Sequence, residues 1–217
     1  MLGKTRPLTK SLTFILAKPF VWLRVPPNLV SFLGIPLALC AAYFIYFQQY
    51  LFAFVFAFLA ILMDFIDGSV AEQQKKTTYF GNYFETMMDK YTEVILLAAF
   101  AFHFGIESAL AVGLSLMESY AKPRAALVVV ADNRDWPAIG EHADKLALFL
   151  LGLLVASFMP EINGFETMRV VFWILIAMVT VGAIQRMLYA RKLINEGEKK
   201  GTILPYLKKK AGHDAVE

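Results

Sequence analysis

Six ionisable side chains, Asp64, Asp67, Glu85, Asp89, Lys90 and Glu93, fall inside two otherwise apolar stretches of the chain. A charge placed within hydrocarbon is costly, so each is a candidate for function. Asp64 and Asp67 are three residues apart and Glu85 and Asp89 four, which puts each pair on one face of a helix. With the first helix reaching water near Glu72 and the second starting near Phe80, the two pairs lie roughly 8 to 14 Å below the surface, at about 1.5 Å of rise per residue. Four anions at one level repel one another, and a divalent cation neutralises them. All four ligands are hard oxygens, with no histidine or thiolate close by in sequence, and this favours Mg²⁺ or Mn²⁺ over Zn²⁺. Gly68 and Ala71 continue the first helix with side chains too small to cover it, and Gly81 opens the second, leaving room for a ligand to lie flat against both.

The elements that must hold these residues follow from hydropathy. Of the 217 residues, 58% are hydrophobic, and the mean hydropathy is +0.55. Soluble globular chains are not composed this way. The apolar residues form six runs, at about Asn28 to Gln48, Leu51 to Glu72, Phe80 to Phe104, Ile106 to Tyr120, Ala143 to Met159 and Met168 to Tyr189. Six spans with the N-terminus in the cytoplasm gather Lys4, Arg6, Lys10, Lys18, Arg24, Lys75, Lys76, Lys122, Arg124, Arg134, Lys145 and the cations from Arg186 to Lys210 on one side. Arg169 alone falls on the other. The expected fold class is therefore all-α, a polytopic membrane protein with both termini cytoplasmic, of the type found in a prokaryotic plasma (inner) membrane.

Three regions are expected: a juxtamembrane segment over 1–27, a six-helix domain over 28–192 and a basic tail over 193–217. Leu8, Leu12, Ile15, Leu16, Phe20 and Leu23 recur at near-helical spacing, which predicts an amphipathic helix in the interface, kinked at Pro19. Lys18 and Pro19 break its apolar stretch, so a cleaved signal peptide is not expected. Pro26 and Pro27 call for an extended turn, with Asn28 as cap of the first span. From Asn195 onward a mobile tail is expected to touch anionic headgroups through Lys199, Lys200 and Lys208 to Lys210. The net charge of +3 is spread along span ends rather than concentrated on a face, which argues against a nucleic-acid partner. The single cysteine, Cys40, excludes a disulfide framework and a thiolate metal site.

Read together, Asp64, Asp67, Gly68, Ala71, Gly81, Glu85 and Asp89 resemble the signature of the CDP-alcohol phosphotransferases, D-x2-D-G-x2-A-R-x8-G-x3-D-x3-D. Pro27 and Asn28 resemble that family's Pro-Asn before its first span. Ser119, Tyr120, Lys122, Arg124 and Ala125 resemble its Ser-Tyr-x-(Arg/Lys)-x-Arg-Ala segment. The resemblance implies transfer of a phosphatidyl-type group from a CDP-linked lipid such as CDP-diacylglycerol to an alcohol, with release of CMP, by a homodimer whose site opens to the cytoplasm. It implies that Asp64, Asp67 and Glu85 hold metal, and that Asp89 contacts metal and takes the proton of the attacking hydroxyl. Gly68, Ala71 and Gly81 would line the donor site. Lys122, Arg124 and Lys145 would converge on the acceptor, which in such enzymes can be phosphorylated, as inositol phosphate or glycerol phosphate.

Two positions depart from the signature. Glu85 replaces an aspartate and adds one methylene to a ligand. Glu72 replaces an arginine, putting an anion near the donor phosphates unless Lys75, Lys76 or Arg24 restores the charge. Two other functions therefore stand beside the transferase: a CDP-lipid-binding protein with impaired catalysis, and, with less support, a cation transporter, which would need mid-membrane acids and an inverted repeat.

Overall fold

The computed structural model describes residues 6–130, 136 and 139–204, and side chains from Lys10 onward. Lys4, the Arg6 side chain, Leu8, Arg134 and Lys208 to Lys210, all named above, lie outside what it describes.

Seven helices follow one another: α1 Arg6–Trp22, α2 Pro27–Tyr46, α3 Tyr50–Gln73, α4 Tyr79–Ala98, α5 Gly105–Ala126, α6 His142–Phe158 and α7 Thr167–Lys200. A single 3-10 turn, Ala99–Phe102, prolongs α4. The connections after α2, α3 and the 3-10 turn are a few residues long, so consecutive helices run antiparallel. Among the described residues, α2, α3 and α7 are long and apolar enough to cross a membrane. Their outer faces leave Leu39, Tyr43, Phe52, Phe58, Phe65, Trp173, Ile174 and Leu188 uncovered, an apolar surface that lipid rather than water must solvate. The chain is an integral membrane protein. The helix α4, with Glu85, Asp89, Lys90 and Glu93 along it, and the shorter α6 do not match those three in length and hydropathy together.

Small residues set the closest packing. Ala38 and Ala41 of α2 meet Ala53, Ala57 and Ala60 of α3 in the buried core. Their spacing of three and four residues makes one smooth stripe that lets the backbones approach. Away from the carboxylates the core is aromatic. Phe100 stacks on Phe104 at 5.1 Å between ring centroids, and Phe172 lies 5.1 and 5.0 Å from those two rings. Rings at these separations add about 0.5–1.5 kcal/mol per pair beyond their area.

Several boundaries differ from the reading of the sequence. Asn28 does not cap α2: the cap position is Pro26 in extended geometry, with Pro27 at the first helical position. A proline fits there because its φ is preset and its missing N–H would have had no helical partner. The run expected to end at Tyr120 continues, since α5 extends to Ala126 with Pro123 inside its last turns. The tail expected from Asn195 begins later, since α7 continues to Lys200 and ends at Gly201 in left-handed geometry, φ 70°. Its last turns are held from the side. Gly197 packs under Val129, and Val130 N–H donates to Thr202 O at 3.1 Å while Leu204 N–H donates to Val128 O at 3.0 Å. Between α6 and α7 a two-residue hairpin, β1 Glu161–Ile162 against β2 Phe165–Glu166, turns through Asn163 and Gly164, both at positive φ, as a tight primed turn demands.

Candidate active site

Asp64 and Asp67 lie in the last three turns of α3. After a short connection Thr78 caps α4, its hydroxyl accepting from Gly81 N–H at 2.9 Å. That tight return brings Glu85 opposite Gly68: a Cβ built on Gly68 would stand 3.8 Å from Glu85 Oε1. Asp67 is almost fully buried and accepts a 2.5 Å hydrogen bond from Ser31 Oγ of α2. Asp64 and Asp89 place ligand atoms within 4.8 Å of each other and of a third residue, His142.

Between α2, α3 and α4 an open cavity of about 180 Å³ is lined by Asp67, Gly68, Ala71, Gly81 and Glu85, with Asn28, Ser31 and Lys76 at its walls. The three small residues thus share one cavity with two of the acids. Gly81 has little room to grow, because an added Cβ would meet Thr78 Oγ1 at 3.0 Å and Asn28 Oδ1 at 3.6 Å. Glu72 faces elsewhere. It is half exposed and pairs with Lys10 of α1 at 2.9 Å. Of the cations considered as substitutes for the missing arginine, Lys76 lines this cavity, and Lys75 and Arg24 do not.

A second, wider cavity of about 420 Å³ lies between α4, α5 and α7, against the start of α6, with Lys90, Glu118, Ser119, Lys122, His142 and Arg186 on its walls. The basic trio expected here is not brought together. Lys122 lines the cavity, but Arg124 borders a separate apolar hollow with Met117, Tyr120 and Met187. Lys145 is buried, held at 2.6 Å from Glu93 Oε1 and 3.1 Å from Glu118 Oε2. An ammonium removed from water needs carboxylates of its own, and these two supply them. Arg186 takes the place at the cavity that Lys145 was expected to hold, with its guanidinium 2.9 Å from Glu118 Oε1 and donating to Glu118 O at 3.0 Å.

Histidine is also present where none was expected. α6 begins at His142, whose Nδ1 lies 2.8 Å from Glu93 Oε2 and whose Nε2 lies 3.5 Å from Asp64 Oδ2. Its partners in space are distant in the chain, which is why local spacing does not reveal it. One signal for this network is present in the sequence: Glu93, Glu118 and Lys145 are each charged residues inside apolar helices, and each therefore needs a partner. The donor set of carboxylates and one imidazole suits a divalent ion. Among the described residues, Asp67, Glu85 and Asp89 form no ion pair with a cation, which leaves their charge available to such an ion.

The family model for CDP-alcohol phosphatidyltransferase matches residues 24–182. Archaetidylinositol phosphate synthase of Pyrococcus horikoshii is 22% identical over 201 residues, which is 91% of this chain and all of that protein. An uncharacterised protein of Aquifex aeolicus is 27% identical over 101 residues, covering 46% of this chain and 52% of its own length. The crystal structure of Mycobacterium tuberculosis phosphatidylinositol phosphate synthase with CDP-DAG bound superposes with a TM-score of 0.69 at 20% identity, over 83% of this chain and 94% of that one. The same protein in complex with manganese and citrate gives 0.68 at 20% identity, over 82% and 88%. At such identities the structures establish the shared fold.

Proposed function

Because the chain belongs to the CDP-alcohol phosphatidyltransferase family, we propose that it makes phospholipid by moving a phosphatidyl-type group from a CDP-linked lipid to a phosphorylated alcohol. The oxygen of the acceptor hydroxyl forms a bond to the phosphorus that bears the lipid, the bond from that phosphorus to CMP breaks, and the hydroxyl proton goes to Asp89. The observation that carries this reading is the junction of α3 and α4, where Asp67, Glu85, Gly68 and Gly81 share one open cavity beside Asp64 and Asp89.

Asp64, Asp67, Glu85 and Asp89 would hold Mg²⁺ or Mn²⁺, which when bound neutralises charge on the diphosphate and on the departing CMP. Gly68, Ala71 and Gly81 keep the donor's floor open, and Lys76 faces the diphosphate in the role that position 72 has lost. Ser31 holds Asp67 in place from α2. Asp89 needs no shuttle, because a carboxylate aimed at the attacking hydroxyl is a competent base. Lys122, with Lys90 and Arg186 on the same wall, receives the acceptor's phosphate. Lys145 contributes indirectly, by fixing Glu93 and Glu118. Arg124 has no part in this site.

In this reading α2 to α7 all cross the membrane, both termini and the site face the cytosol, α1 lies in the interface, and the enzyme is a homodimer. The charge distribution of the connections supports the orientation. The names of the Pyrococcus and Mycobacterium relatives, archaetidylinositol phosphate synthase and phosphatidylinositol phosphate synthase, support an inositol-phosphate-type acceptor. Purified protein supplied with CDP-diacylglycerol and Mg²⁺ or Mn²⁺ is expected to release CMP when inositol phosphate is added. Glycerol phosphate serves as the competing acceptor, and no CMP with either one argues against the reading.

A further inference from the structure

We infer that His142 is a nitrogen ligand of the metal centre and that the site therefore selects Mn²⁺ over Mg²⁺. The inference rests on the carboxylate metal site proposed above and adds a ligand that its four acids do not include. The three ligand atoms of Asp64, Asp89 and His142 lie within 4.8 Å of one another. His142 Nε2 is buried and forms no hydrogen bond, standing 3.5 Å from Asp64 Oδ2. That separation is long for a hydrogen bond between these atoms. It is close to the spacing of two donors on one ion, which at about 2.1 Å from the metal sit roughly 3.0 to 3.4 Å apart.

The other ring nitrogen decides which atom faces the site. Nδ1 meets Glu93 Oε2 at 2.8 Å and donates there, so the neutral ring, the form that binds metal, turns its Nε2 lone pair toward Asp64 and Asp89. Glu93 cannot turn away, because Lys145 grips its Oε1 at 2.6 Å and Lys90 its Oε2 at 2.7 Å. A carboxylate that orients an imidazole from behind while the far nitrogen faces an ion is a recurring arrangement around metal sites. Oxygen donors alone accept Mg²⁺ readily, and an imidazole nitrogen shifts preference toward transition ions.

The test is pulsed electron paramagnetic resonance on the full-length protein in detergent, loaded with Mn²⁺ alone. The expected result is nitrogen modulation on the bound Mn²⁺ that changes isotope pattern when the protein carries ¹⁵N-histidine. It should vanish in His142→Gln, whose Mn²⁺ affinity falls about tenfold or more while its Mg²⁺ affinity changes less than about threefold, as expected if the nitrogen is what prefers the softer ion. Bound Mn²⁺ with oxygen coordination only in the unaltered protein overturns this inference and leaves the four-carboxylate reading standing. Absence of any protein-bound Mn²⁺ overturns both. The measurement on the unaltered protein decides the matter even where the variant is poorly folded.

Discussion

Asp89 and Glu93 sit one turn apart on α4, yet they keep opposite company. Glu93 is buried among Lys90, His142 and Lys145, and farther along the same network Glu118 holds Lys145 and Arg186. Asp89 faces Asp64 with no cation bound to it among the described residues. The contrast separates two uses of a carboxylate inside a membrane protein. Where the chain supplies its own counter-charges the acid ties helices together, and where it withholds them the acid's charge is left for the ion that we propose it binds.

The largest expected effect tests the unpaired side. Asp89→Asn should lower CMP release by about 10³- to 10⁴-fold, the upper range for removal of a positioned base, while leaving the metal-free unfolding midpoint in detergent no lower, since like charges are being reduced. A large fall in stability would break the comparison. On the paired side, Lys145→Met takes a buried counter-charge from both Glu93 and Glu118 and should cost about 3–5 kcal/mol, read as a lowered thermal midpoint. Adding Glu118→Gln to that variant should recover part of the loss, and a midpoint unchanged in the single variant would contradict the network. A smaller effect separates the two lysines before α4. Lys76→Ala should raise KM for the CDP-lipid about tenfold, as for loss of one hydrogen bond to a charged group, and Lys75→Ala should leave it within about twofold. The smallest is Glu72→Gln. Its exposed pairing with Lys10 is worth roughly 0.2–1 kcal/mol, so stability should shift by no more than that and CMP release should stay within about twofold.

The same contrast explains how much of the molecule is legible in the sequence. The helices α2, α3 and α7 follow from runs of apolar residues, because crossing hydrocarbon imposes a length and a composition that each of these three displays by itself. That Asp64 shares a face with Asp67, and Glu85 with Asp89, follows from spacing, since residues three or four apart lie on one side of a helix, and the short return from Gln74 to Thr78 sets α3 beside α4. His142, Glu118 and Arg186 are hidden for the converse reason. They reach the site from α5, α6 and α7, and the pairing of buried charges across those helices depends on rotation and depth, which no local pattern records. Lys145 shows the cost of reading charge without burial: as a lone cation it resembles an acceptor contact, and with Glu93 and Glu118 beside it the lysine is already occupied.

The pairing of Val128 and Val130 with Thr202 and Leu204 also imposes an order of assembly. At about 1.5 Å per residue, the 34 residues of α7 span about 51 Å, longer than the roughly 30 Å of hydrocarbon, and its far end lies beside the end of α5. The stretch leaving α5 has its backbone partners far downstream, beyond the whole of α6 and α7. A nascent chain can form α5 and α6 early, but Val128 and Val130 stay without these partners until translation has passed Leu204. Stop codons before Thr202 therefore remove more than a tail: they leave an earlier loop without the edge against which it closes.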